Sequence, residues 1–217
     1  MRTSLFLISI AILLAGCDLD ITDKSSALPY LGPFEIEYNE LDNGDVVADT
    51  SFHVIPEWTF VNQHGKKVGT EQYVGHVYVA DFFFTHCPTI CPIMTSQMSR
   101  LHDMLEQENL IGHVKLLSHT VDPKRDDPAR LLEYMEIVGV ESESWHFVTG
   151  YPEELDLQTR EGYLVTAFES DSAEGGFFHT DQFVLIDRIG HIRGYYDGTS
   201  TTEVNQLFDD IKTLNDE

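Results

Sequence analysis

The chain has 217 residues, enough for one domain and a tether. Hydrophobic residues make up 42% of it, which supports a packed core. Against 37 acidic residues stand only 13 Lys and Arg, a formal charge of -24 that argues against nucleic acid as a partner, because phosphates need cations.

Residues 1–16 read as an export signal rather than as part of the fold. Arg2 supplies a positive start, and residues 5–15 form an apolar run shorter than the about 20 residues of a permanent spanning helix. The run ends in small residues before Cys17. This pattern is similar to a bacterial lipoprotein signal, whose cleavage leaves Cys17 acylated and membrane-anchored in the cell envelope. Several acyl chains on one residue anchor stably where a single chain binds marginally. An ordinary secretory signal is the alternative. Residues 17–51 are expected to be the lipidated cysteine and a linker or lead-in, rich in Asp, Ser, Asn, Gly and Pro with weak apolar periodicity. The folded domain is expected over residues 52–217.

Within that domain, residues 53–61, a turn at 62–67 and the following residues read as strand, turn, strand. Residues 77–84 are nearly all apolar, as in a central strand covered on both faces. Met94, Met98, Leu101 and Leu105 fall at helical spacing within 91–109. A strand follows at 114–121, then a helix at 128–138 with Asp127 as N-cap and Pro128 in the first turn. A short strand at 145–148 and a helix at 152–161 come next. Residues 183–186 and 191–195 form a hairpin turned at Arg188-Ile189-Gly190, and residues 202–214 close the chain as a helix. Alternating strands and helices, then a hairpin and a last helix, predict an α/β domain with a mixed central sheet flanked by helices. A strand that runs into two cysteines at a helix start is the thioredoxin arrangement.

The chemistry concentrates in Thr85-His86-Cys87-Pro88-Thr89-Ile90-Cys91-Pro92 and in Phe178-His179-Thr180. With Cys17 consumed by lipid, Cys87 and Cys91 remain, in an exported and disulfide-permissive compartment. They make a poor structural staple, because so small a loop constrains the unfolded chain little. Placed at a helix N-terminus they gain thiolate character, and four residues apart they can face the same way. Two thiolates favour Cu(I), and an added imidazole also suits Cu(II). The same thiols can form a disulfide, which competes with metal binding. His86 is placed to tune Cys87, although a solvated side chain explains it equally. Met94, Met98 and Met104 read as core rather than thioether ligands. Asp122 and Asp126 suit either a supporting role at the site or turn formation.

Thr85-His86-Cys87-Pro88-x-x-Cys91-Pro92, Val121-Asp122-Pro123-x-Arg125-Asp126, and His179-Thr180 leading into Val184-Leu185-Ile186-Asp187 resemble the SCO/SenC family over about residues 52–215. The resemblance implies a thioredoxin-like fold with an N-terminal strand-turn-strand addition. It implies copper held by Cys87, Cys91 and His179, and a role in building the dinuclear copper site of cytochrome c oxidase subunit II or another envelope cuproprotein. Some family members act instead as thiol-disulfide reductases, for which Cys87 and Cys91 form the redox pair and a thiol-disulfide partner is needed. One position departs from the family: Phe178 stands where Asp often precedes the ligand histidine.

Overall fold

The computed structural model describes residues 27–140, 143–170 and 172–217. The export signal and Cys17 expected from the sequence lie outside the described residues. In chain order the strands begin with β1 (Phe34–Glu40), β2 (Val46–Phe52), β3 (Thr59–Asn62), β4 (Lys67–Gly69) and β5 (Val77–Phe83). Helix α1 (Ile90–Gln107), strand β6 (Val114–Thr120), helix α2 (Pro128–Val138), strand β7 (Trp145–Thr149) and helix α3 (Pro152–Leu157) follow. The chain ends with β8 (Ala167–Glu169), β9 (Phe177–His179), β10 (Gln182–Ile186), β11 (Ile192–Asp197) and α4 (Thr201–Asp216).

A seven-stranded mixed sheet runs in the order β11-β10-β5-β6-β7-β3-β4. Strands β5, β6 and β7 are parallel; the others join antiparallel. The all-apolar run becomes β5 because both its faces are covered, and every residue in it is buried. On one face Val77, Val79 and Phe83 pack against Met94, Met98, Leu101 and Leu105 of α1, Leu131 of α2, and Val204, Leu207 and Ile211 of α4. The other face carries Tyr78, Ala80 and Phe82 under Trp58, Phe60, Tyr73, Leu155 and Tyr163. Met94 and Met98 are therefore core, as their spacing predicts, and Met104 packs at its margin.

Local sequence sets the helix boundaries. The Asp127 carboxylate accepts from the Arg130 backbone N–H at 2.8 Å, Pro128 opens α2, and Gly139 ends it in the left-handed region at φ 78. Ser200 caps α4 through the Glu203 N–H. The β10–β11 turn closes on the Asp187 carboxylate, which accepts from the N–H groups of Ile189 and His191. Among the described residues, no helix is long and apolar enough to cross a membrane.

Three expectations change. Residues expected as a lead-in form an antiparallel hairpin, β1–β2, pairing Phe34 with Phe52 and Tyr38 with Ala48. Its turn contains Asn43-Gly44, with Gly44 at φ 84. The strand expected from residue 53 begins only at Thr59, because Pro56 lacks a ladder donor. The helix expected from 152 to 161 is α3 followed by a wider π turn over Gln158–Gly162.

Candidate metal centre

The site forms where β5 ends. Thr85 is held by Asp126, whose side chain is fully buried. The Thr85 N–H and hydroxyl donate to the two Asp126 oxygens at 3.1 and 2.6 Å, and the Thr120 hydroxyl adds a bond of 2.6 Å. Arg130 donates to the Thr85 hydroxyl from α2 at 2.9 Å. A buried carboxylate with several donors is a fixed point, and it sets where the next residues go. The Cys87 N–H then turns back to the Phe84 carbonyl.

Cys87 lies in the loop before α1, not on the helix; Thr89 is the N-cap and Cys91 sits in the first turn. The two sulfurs still meet. The Cys91 N–H, an unsatisfied helix-start donor, points at Cys87 Sγ at 3.5 Å. Cys91 is buried and Cys87 half-buried, and both are free thiols.

His179 arrives from β9, which pairs with β8 as a separate two-stranded sheet. Its Nδ1–H donates to the Thr180 carbonyl at 2.8 Å, which leaves the Nε2 lone pair aimed at the thiols. Nε2 lies 3.2 Å from Cys91 Sγ and 3.9 Å from Cys87 Sγ. The donor atoms of Cys87, Cys91 and His179 all fall within 4.8 Å of one another. Two soft sulfurs and one oriented imidazole fit copper by donor type. A backbone carbonyl on the far ring nitrogen is the support a metal-bound histidine needs.

The two thiols are electrostatically unequal. The Cys87 thiol is held well below the ordinary range, first by a hydrogen bond from Cys91 and then by the backbone N–H groups of Cys91 and Thr89. The Cys91 thiol is pushed far up by that same hydrogen bond and by burial. The asymmetry favours a thiolate at the more exposed sulfur over one at the buried sulfur.

Other sequence candidates resolve into supports. The His86 ring meets the Thr85 hydroxyl at 3.0 Å and sits 3.9 Å from Asp126. Asp122 is buried, accepts from Arg125 Nε and shapes the turn that follows β6. Phe178 alternates outward, 55% exposed and stacked on Phe168 at 5.4 Å, so the departure from the family pattern lies on the outer face of β9. His102 lies with Asp103 and Glu106 in a second donor group on α1 whose carboxylates are exposed.

One residue escaped the sequence reading altogether. Asp81 is a charge inside the apolar β5 run, and it is buried with one carboxylate oxygen lacking a hydrogen-bond partner. Burial raises its pKa to about 7, with Ser118 and His179 partly opposing the shift. The available signal was the lone acid in an otherwise apolar strand.

The family model for SCO1/SenC matches residues 47–215. The chain belongs to the SCO1/SenC family. A SCO1 protein homolog of Bacillus subtilis is 32% identical over 174 residues, covering 78% of this chain and 87% of that protein. The crystal structure of a SCO1/SenC family lipoprotein from Bacillus anthracis superposes with a TM-score of 0.70 at 32% identity, covering 75% of this chain and 95% of that one. BsSco, described as a member of the Sco family of cytochrome c oxidase assembly proteins with a disulfide switch, aligns with a TM-score of 0.67 at 31% identity over 75% and 93% of the two chains. The SCO1/SenC fold here is thioredoxin-like: a central mixed sheet, flanking helices, and the β3–β4 strand pair at the sheet's far edge.

Proposed function

We propose that this SCO1/SenC protein is a membrane-tethered copper carrier that helps assemble the dinuclear copper site of cytochrome c oxidase. Cys87 Sγ, Cys91 Sγ and His179 Nε2 hold the copper. One observation carries the reading: three donors from two separate chain segments converge within 4.8 Å, with the imidazole tautomer already set. The copper ion is the cargo, and a cuproprotein with vacant soft ligands takes it. The described relation of BsSco to cytochrome c oxidase assembly favours subunit II as that partner. Lipidated Cys17 in the cell envelope supplies the tether, with residues 17–51 as linker and hairpin and residues 52–217 as the working domain. The B. anthracis relative is itself a lipoprotein. Metal analysis of the reduced protein with one equivalent of Cu(I) tests this. The reading requires one tightly held ion that is lost on Cys87→Ser or Cys91→Ser substitution.

A second reading rests on the unequal thiols. A thiolate at Cys87 above a protonated Cys91 is the arrangement of a dithiol reductant. Cys87 attacks a target disulfide, forming a mixed disulfide and expelling one target thiolate. The Cys91 thiol passes its proton to the expelled target thiolate and then attacks Cys87 Sγ, releasing the second target sulfur as a thiolate and leaving a Cys87–Cys91 disulfide, so two electrons pass to the target. This activity needs both cysteines but not His179, and turnover by His179→Ala separates it from copper delivery.

A further inference from the structure

The copper centre is assembled from two parts of the chain. The cysteines belong to the β5–α1 loop, and His179 belongs to the β8–β9 sheet, which is not hydrogen-bonded into the main sheet. Something must hold the second part against the first. Arg125, in the loop after β6, touches both. Its Nε donates to the buried Asp122 carboxylate, and its Nη2 donates to the Gly175 carbonyl at 2.8 Å, four residues before His179. The guanidinium carbon also lies 5.8 Å from the Phe84 ring and 5.9 Å from the Phe177 ring. Phe84 immediately precedes the cysteine loop; Phe177 begins β9.

The packing around this arginine fits the same role. Phe84 contacts Phe177 at 5.5 Å and meets the His179 ring edge-on at 5.6 Å. Gly175 adopts φ +78, and a Cβ there would come within 2.7 Å of the Phe84 ring, so glycine lets the backbone close onto the phenyl face. Lys124, the neighbour of Arg125, pairs with Glu169 on β8 at 3.3 Å, but both are exposed and add little. Arg125 couples a buried carboxylate, a backbone carbonyl and two aromatic faces across the junction, a set that suits a planar fork.

We infer that Arg125 is a positioning residue that locks the His179-bearing sheet onto the cysteine loop, so that it decides whether the site offers three donors or only two thiolates. This rests on the copper reading for its consequence, but the lock itself is a property of the metal-free protein. Amide hydrogen exchange on the reduced, metal-free chain tests it directly. Arg125→Ala is expected to speed exchange at Phe178 and Thr180, the amides of this segment that face β8, by roughly ten- to a hundredfold, the factor that loss of a charged hydrogen bond sets, while β5 and β6 amides keep their protection. Arg125→Lys keeps the cation over the rings but loses the fork, and is expected to restore only part of the protection.

Cu(I) competition then reads the consequence. Arg125→Ala is expected to weaken binding about tenfold in the wild-type background and not at all in His179→Ala, because the lock acts through that imidazole. Unchanged exchange at Phe178 and Thr180, faster exchange throughout the sheet, or an equal loss of affinity in both backgrounds overturns the proposal. If the wild-type protein bound no copper, the copper reading would fall, and the exchange data alone would decide the lock.

Discussion

His179 Nε2 sits 3.2 Å from Cys91 Sγ although 88 residues separate them in sequence. No local preference creates that approach. It follows from β8 pairing with β9, from Phe84 packing against both Phe177 and His179, and from the buried Asp126 that fixes the loop carrying the cysteines. The centre is therefore a tertiary product, and its parts respond to different perturbations.

The thiols should differ in reactivity with pH. Cys87 is favoured as the thiolate well below the ordinary thiol range, whereas the Cys91 proton is retained above it. Alkylation of the reduced, metal-free protein by iodoacetamide at pH 5 should label Cys87 and spare Cys91, as read by peptide mass analysis. The Cys87 rate should stay nearly flat from pH 5 to 8. A rate rising tenfold per pH unit across that range would show an unperturbed thiol instead.

Asp81 makes stability depend on pH. Its folded pKa is raised from 3.8 to about 7 by burial, so the folded state favours the protonated acid. The sign follows: this contribution is complete below about pH 4 and disappears as pH rises through 7. Asp81→Asn, neutral at every pH, should gain on wild type by roughly 2–4 kcal/mol between pH 4 and pH 8. Urea unfolding at both pH values checks this; a difference between the two proteins that does not change with pH contradicts it.

Asp126 should be costly to remove. Its buried carboxylate accepts from the half-buried Thr85 twice and from the buried Thr120 once. Asp126→Ala leaves those donors unsatisfied and should cost roughly 3 kcal/mol, seen as a lower denaturant midpoint. Because Thr85 is two residues from Cys87, the variant should also lose copper affinity. Thr120→Val, which removes one donor at the far side, should cost stability while leaving copper binding largely intact.

Oxidation should exclude copper. A Cys87–Cys91 disulfide cannot supply two thiolates, so the oxidised protein should take up no Cu(I) until a reductant is added. Stoichiometric uptake by protein that carries no titratable thiol would mean that the ligands lie elsewhere.

The element order could be read from periodicity where burial is one-sided or complete. β5, α1, α2 and α4 fall close to their expected spans, because apolar spacing and caps such as Asp127 and Ser200 are local signals. The β1–β2 hairpin is not legible although Phe34, Ile36 and Tyr38 alternate, because acidic residues interleave them and every hairpin residue but Phe52 is exposed, with no core to sharpen the pattern. Strands β8 and β9, three residues each, are too short to carry a period, and Phe177 packs against Phe84, far away in sequence. The two cysteines and the histidine were nominated from motif spacing, but their unequal thiols, the Thr180 carbonyl on His179 and the buried Asp81 depend on three-dimensional placement.

The most direct test of the copper account is a competition titration of the reduced protein against a Cu(I) chelator, wild type beside His179→Ala. The account predicts one-to-one binding in wild type and a loss in the variant larger than the roughly 10–100-fold that an outer-shell substitution costs. Equal affinity in the two proteins would contradict a three-donor site and leave the Cys87–Cys91 pair as a thiol-disulfide reductant.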